Sequence, residues 1–284
     1  MDKDNHRLKL TWGFFRKAPR FESEIIMKKI AIITGASSGI GRKFAETLSS
    51  HGKYDELWVI ARNAQRLDEL KAVVPFPVRA VPMDLADPRS VDEFKALLES
   101  EKPEISILIN CSGYGKFDAV NNLTLEENLG MIDLNCRALT ALTCLSLPYM
   151  KRGSEIVQIA SVAAFQPIPY INVYGATKAF VLNFSRALGS ELKKDGIRVL
   201  AVCPFWTKTA FFDRAIKADQ DAVVKKYVAM YDSAFIVKKA WRTLEKTKKD
   251  YVVPGFKAKA QVLLVKIMPH SFVMWFWKKQ QKLK

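Results

Sequence analysis

The sequence predicts an α/β protein: a single doubly wound domain on a mostly seven-stranded parallel sheet, with a helical tail. Three observations lead there. Short β-branched runs alternate with helix-period segments six or seven times along the chain, which means parallel strands joined by helical crossovers. Runs such as 105–109 and 199–202 are almost wholly apolar, as strands buried on both faces must be. The first run ends in a glycine-rich bend that feeds directly into helical spacing.

That first unit, Lys29 to Gly41, carries Ile30 to Ile33 as its strand and begins its helix at Ile40. A strand that enters a helix through a tight turn aims backbone N–H groups and the positive end of the helix dipole at one point, which suits a pyrophosphate. Gly35, Gly39 and Gly41 stand as G-x-x-x-G-x-G, not as the commoner G-x-G-x-x-G. Glycines after a strand are also simply a tight turn, so the motif needs support from downstream. The remaining strand-like runs fall at 57–61, 77–82, 105–109, 154–160 and 197–202, with a short last one from Tyr251 to Val253. Helical patterns are expected near 40–50, 64–72, 89–100, 124–150, 171–194 and 208–230.

Chemistry-bearing residues follow the carboxyl ends of those strands, where doubly wound sheets hold their ligands. After the second run come Ala61 and Arg62, with Arg66 a turn later, where an acidic residue would favour NAD. A guanidinium matches a ribose 2′-phosphate, so NADP(H) is expected over NAD(H). After the third run come Asp84 and Leu85, where Asp84 is an acceptor for an adenine amino group or a cap for the helix that begins near Pro88, a role Asp87 serves better. After the fourth, Asn110-Cys-Ser-Gly113 is a polar turn at which backbone approaches a ligand closely.

The decisive spacing is Tyr174-Gly-Ala-Thr-Lys178. Residues i and i+4 share a helix face, and an ammonium beside a phenol draws the phenol's pKa down from about 10. A phenol so placed protonates a carbonyl oxygen as hydride reaches the carbon. Tyr-x-x-x-Lys alone is common. Ser161, just past the fifth run, supplies a hydroxyl to the same oxygen.

Taken together, these residues resemble the short-chain dehydrogenase/reductase family over about residues 28–253. The resemblance implies a Rossmann-type domain whose cofactor loop is Thr34, Gly35, Ser37, Ser38, Gly39, Ile40 and Gly41. Asn110 to Gly113 stands where the family often has Asn-Asn-Ala-Gly, and Asn135 matches the asparagine that holds a water in its proton relay. Ser161, Tyr174 and Lys178 match the catalytic serine, tyrosine and lysine, and Lys178 is implied to bond the nicotinamide ribose. Pro204 and Thr209 match the Pro-Gly-x-x-x-Thr segment that contacts the carboxamide, although Phe205 replaces the glycine. Dimers or tetramers are implied by the same resemblance.

Charge and composition narrow the partners. The chain carries +16 over 284 residues. Residues 1–29 hold net +4, residues 236–284 net +11, and the body between them only +1. Basic excess confined to aromatic-bearing ends argues against nucleic acid and suits an anionic membrane surface or a solvated end. Cys111, Cys136, Cys144 and Cys203 lie in apolar runs without metal-ligand spacing, which fits a reducing, cytoplasmic compartment and no metal site. Residues 1–26 read as a flexible extension ahead of a natural start at Met27, 27–254 as the catalytic domain and 255–284 as a basic amphipathic tail. The tail is too short and too broken by Lys266, Pro269 and His270 to span a bilayer. Its apolar face is left with three destinations: a membrane surface, the mouth of the cleft, or another subunit.

Substrate walls are expected from Phe205, Trp206, Phe211, Phe212, Tyr227 and Tyr231, facing Phe165, Pro167, Ile168 and Tyr170. Such a lining suits a bulky apolar carbonyl or alcohol, such as a steroid, acyl or aromatic ketone, and packing alone would also explain it. The expected function is NADP(H)-dependent interconversion of ketone and secondary alcohol. The alternative is a catalytically silent NADP-binding sensor or scaffold of the same fold.

Overall fold

The protein is described by a computed structural model in residues 27–215 and 223–283; the expectations for 1–26 lie outside the described residues. Each β-branched run forms a strand, and each periodic segment before residue 200 a helix. The order is β1 (Lys29–Thr34), α1 (Gly39–Thr47), β2 (Glu56–Ala61), α2 (Ala64–Asp68), β3 (Val78–Pro82), α3 (Ser90–Glu101) and β4 (Glu104–Asn110). Then come α4 (Leu125–Ile132), a π-helical turn (Asp133–Ala138), α5 (Leu139–Ser146), β5 (Glu155–Ile159), α6 (Asn172–Glu191) and β6 (Arg198–Val202). The seven-stranded sheet runs β3–β2–β1–β4–β5–β6–β9, all pairs parallel, with β9 at Tyr251–Val252. The order reverses between β1 and β4, and the crevice there is where a doubly wound sheet takes its ligand.

Both faces of the sheet are core, which explains the unbroken apolarity of its strands. Ala31, Ile33, Leu57 and Val59 face α1 and its neighbours, whereas Ile30, Ile32, Trp58 and Ile60 face the layer of α3, α5 and α6. Successive strand residues therefore alternate between two dry environments. Phe44 of α1 is fully buried on the first face, its ring edge-on to Trp241 at 4.9 Å.

Two segments depart from the pattern expected of them. Residues 208–230 are not one helix: a short strand β7 (Thr207–Lys208) precedes a five-residue helix α7 (Phe211–Ala215), and 223–230 has no helix. The apolar spacing there belongs to aromatic side chains that pack on one another, Trp206 against Phe212 and Tyr227, so it mimics a helical stripe without a helix. After β8 (Tyr231–Asp232), a helix that sequence reading left unassigned, α8 (Ser233–Lys246), closes the first face of the core. Ile236, Val237, Ala240, Trp241 and Leu244 form its buried stripe. The tail is a helical hairpin, α9 (Phe256–Ile267) and α10 (His270–Gln281). No described helix is long and apolar enough to cross a membrane.

Candidate active site

A cleft of about 1170 Å³ runs along the carboxyl ends of the strands, from Arg62 at one end to the tail hairpin at the other. Ordinary small-molecule sites occupy about 300–1000 Å³, so this one has room for two ligands side by side.

Its first wall is the bend between β1 and α1. Gly35 has φ +66°, and a Cβ there would lie 2.9 Å from the Cys111 carbonyl carbon and the Ser112 nitrogen. At Gly41 a Cβ would overlap the Gly35 carbonyl. The bend is thus held tight against the turn after β4, and only glycine fits. Ser38 precedes α1 with extended backbone and no side-chain cap, so the first N–H groups of the helix face the cleft unspent. A cradle of this kind fits a pyrophosphate. Thr34 accepts from the N–H groups of Cys111 and Ser112 at 3.1 and 3.0 Å, which ties the two turns together from below.

Arg62 and Arg66 line the far end of the cleft. Arg62 Nη1 stands 3.9 Å from Asp84 Oδ2, both side chains half exposed, and a pair so open to water leaves the guanidinium available to a ligand. Asn63 caps α2 by accepting from the Arg66 N–H at 2.9 Å and also lines the cleft, a position the sequence reading did not single out.

The middle of the cleft holds Ser161, Tyr174 and Lys178. Ser161 stands two residues past β5, and its Oγ accepts from the Ala163 N–H at 3.1 Å. Tyr174 and Lys178 lie one turn apart on α6, and the Lys178 Nζ is 5.7 Å from the phenol ring centre. That ammonium donates to the Ile159 carbonyl at 2.8 Å, and burial lowers its pKa to about 8. Burial pushes the Tyr174 phenol up to about 12, against the pull of its hydrogen bond with Ser161. The expected lowering of the phenol by Lys178 is therefore corrected: burial raises it and only the Ser161 hydrogen bond opposes that rise, while Lys178 is directed at the Ile159 carbonyl. Phe117 and Phe211 flank the phenol ring at 6.1 and 5.5 Å.

Behind this wall lie three residues expected in the site. Asn110 is buried and donates to Thr143 Oγ1 at 3.2 Å. Asn135 sits in the π-helical turn, where a widened turn re-aims a side chain. It accepts from the Tyr114 N–H at 3.1 Å and donates to the Tyr114 carbonyl and to Thr177 at 2.9 and 3.0 Å. These two asparagines, with Thr34, support the cleft and do not line it. The other expected residues do line it: Gly35, Ser37, Ser38, Gly39, Ile40 and Gly41 at the bend; Arg62, Asp84, Leu85 and Gly113 beside it; Pro204 and Thr209 across from it. Phe205 is not among the residues with positive φ, so the corner after β6 needs no glycine. Thr209 Oγ1 accepts from the Phe211 N–H at 3.3 Å and so starts α7.

Beyond Tyr174 the cleft turns aromatic. Phe205, Trp206, Phe211, Phe212 and Ile168 line it as expected. Phe165, Pro167, Tyr170, Tyr227 and Tyr231 do not: Phe165 packs toward Tyr251, and Tyr231 stacks on Phe235. Phe117, Ile171 and the tail hairpin take the vacated wall. Gly115 was also missed. A Cβ there would meet the Tyr174 ring at 2.7 Å, a contact between remote segments that spacing does not reveal. No group of three or more His, Cys, Asp or Glu side chains suited to a metal ion occurs among the described residues.

Comparison with known proteins identifies the family and the fold. The short chain dehydrogenase family matches residues 29–220. An uncharacterised oxidoreductase of Staphylococcus epidermidis is 31% identical over 181 residues, 63% of this chain and 78% of that one. A short-chain dehydrogenase from Sphingobium yanoikuyae, solved in complex with NADPH, is similar at 30% identity and a TM-score of 0.69, covering 86% of this chain and 97% of that one. A bulky-bulky ketone specific alcohol dehydrogenase from Comamonas testosteroni is similar at 27% identity and a TM-score of 0.66, with 85% and 95% covered.

Proposed function

The chain belongs to the short chain dehydrogenase family and is an NAD(P)-dependent oxidoreductase; from that premise we propose that it interconverts a bulky apolar ketone and its secondary alcohol with NADP(H). One observation carries the reading: a half-buried tyrosine phenol, hydrogen-bonded to Ser161, stands in a cleft wall between a glycine cradle and an aromatic chamber. The cradle and Arg62 are supplied for a dinucleotide with a 2′-phosphate, and NADPH in the Sphingobium relative agrees with that choice. The bound nicotinamide supplies or takes the hydride.

The chain's own residues manage the oxygen. Ser161 donates to the substrate carbonyl and orients it, and Tyr174 hands its phenolic proton to that oxygen as negative charge develops. A phenol held near 12 stays protonated through the neutral range, which suits ketone reduction. Lys178 stabilises the phenolate left behind, and its ammonium would donate to a ribose hydroxyl of the bound cofactor. Asn135 is a positioning residue that fixes the turn carrying Gly113 and Tyr114.

The aromatic chamber supports a bulky apolar carbonyl substrate, as does the likeness to the ketone-specific dehydrogenase. The reading keeps the protein cytoplasmic, assembled as two or four copies, with its basic tail at an anionic membrane surface. The test is NADPH oxidation over a panel of steroid, acyl and aromatic ketones. Tyr174→Phe is expected to abolish turnover while NADPH fluorescence still reports binding, and Arg62→Ala to weaken NADPH roughly tenfold or more while sparing NADH. A Tyr174→Phe protein as active as the native one overturns the mechanism. Binding of NADPH without turnover of any ketone by the native protein favours the silent-sensor alternative.

A further inference from the structure

The tail hairpin has two apolar faces, and among the described residues only one is packed against the rest of the protein. Ala258 and Val262 of α9 pack into the cluster of Val162, Cys203 and Val253. On α10, the buried Trp277 joins the cluster of Phe117, Ile168 and Ile171, and its Nε1 donates to the Pro169 carbonyl at 3.0 Å. The opposite faces are apolar as well. Phe256, Leu263 and Ile267 of α9 are exposed at 85%, 65% and 72%, and Phe272, Trp275 and Phe276 of α10 at 44%, 52% and 53%. Apolar residues on two faces of one helix are expected where both faces are covered.

Charge indicates what covers the outer face. Residues 255–284 hold seven lysines and no acidic residue. Lys257, Lys259, Lys279 and Lys282 are exposed, and Lys279 Nζ lies 4.9 Å from the Trp275 ring centre. Exposed aromatic and aliphatic side chains with lysines beside them match an interface of acyl chains and anionic headgroups. Each helix has 12 residues, about 18 Å of length, too little for a hydrocarbon core of about 30 Å. Helices of this length can lie on a bilayer but cannot cross one.

The position of the cleft adds the functional consequence. Phe256, Leu264, Phe272 and Phe276 are exposed and also line the cleft, so the apolar chamber beyond Tyr174 opens through the same surface. We propose that the hairpin docks the protein on an anionic lipid bilayer and that the ketone enters the cleft directly from that bilayer. The substrate class is thereby an amphiphile carried in the membrane, with its carbonyl on the part that leaves it. This rests on the ketone-reductase reading, which the test below treats separately.

The probes are phosphatidylcholine vesicles with and without phosphatidylglycerol, a long-chain alkyl phenyl ketone dissolved in them, and a small water-soluble aryl ketone. The native protein is expected to sediment with the anionic vesicles, to be released by high salt, and to oxidise NADPH with the vesicle-borne ketone. The double variant Ile267→Glu, Trp275→Glu alters outer-face residues that do not line the cleft. It is expected to lose vesicle binding and vesicle-borne turnover roughly tenfold or more while keeping turnover of the soluble ketone. A native protein that stays in the supernatant overturns the proposal. So does a variant that keeps full vesicle-borne turnover, or one whose vesicle-free sedimentation coefficient falls, which would make the face a contact between copies. Vesicle binding without turnover of either ketone leaves docking intact, and removes the entry route together with the ketone-reductase reading.

Discussion

Tyr174 and Lys178 are one helical turn apart, yet each is governed more by burial than by the other. Lys178 is buried and Tyr174 half-buried in the cleft wall, the phenol raised to about 12 and the ammonium lowered to about 8. Burial disfavours the charged form of each, so the shifts run in opposite directions. The spacing was legible in the sequence; its electrostatic sign was not, because a Tyr-x-x-x-Lys pattern says nothing about how dry its surroundings are or that Ile159 offers a carbonyl. A pH dependence follows. Below about 8 Lys178 is charged and supports the phenolate that forms as Tyr174 gives up its proton; above it that support is lost while the phenol stays protonated. At saturating NADPH, kcat/KM for ketone reduction is expected to be level through the neutral range and to fall as pH rises past about 8. Lys178→Met is expected to be slow at every pH and to lack that limb. A native profile that stays flat to about pH 10, the ordinary lysine value, removes Lys178 from this role.

At the scale of elements, the site depends on close contacts between segments far apart in the chain. The loop after β4 presses Gly115 against the Tyr174 ring of α6 and against Phe211. Adding a Cβ requires the phenol to shift, and displacement of a reacting group by about 1 Å costs on the order of a hundredfold in rate. Gly115→Ala is therefore expected to lower kcat by tens to a hundredfold, with NADPH affinity unchanged because the glycine cradle lies elsewhere. Isothermal titration beside steady-state kinetics checks it, and equal losses in both would place the damage in the fold. The strands and the helices before residue 200 were readable because each has one clear period. Sequence reading fails where period and structure separate. In 208–230 the aromatic spacing reflects ring-on-ring packing around Trp206, not a helix. In α8 a complete stripe from Ile236 to Leu244 was present among lysines and went unassigned. Within 124–150 the periodicity is continuous, and nothing in it marks the π-helical turn that aims Asn135 at Tyr114.

The whole molecule is a sheet sealed on two faces with a hairpin added at its open end, and the hairpin meets the sheet only through a smaller cluster that includes Ala201 of β6 and Tyr251 of β9. Neither large cluster on the sheet contains a hairpin residue; the hairpin belongs to the two smaller clusters beside the cleft. Trp277 and Gln281 are its main anchors on α10. The Gln281 side chain accepts from the N–H groups of Lys225 and Lys226 at 2.8 and 2.9 Å and donates to the Lys226 carbonyl at 3.0 Å. Loosening the hairpin should therefore disturb the chamber without unfolding the sheet. Trp277→Ala removes a buried side chain whose loss from a core costs about 3–5 kcal/mol, and here that cost falls on local opening, not on global unfolding. The expected result is faster tryptic cleavage at Lys257, Lys259 and Lys266, a raised KM for bulky ketones, an unchanged KM for NADPH, and a main thermal transition within a few degrees of the native one. A main transition that collapses with the substitution would make the hairpin part of the cooperative core. In that case the chamber and the sheet fold as one unit, and the hairpin has no independent freedom with which to admit a substrate.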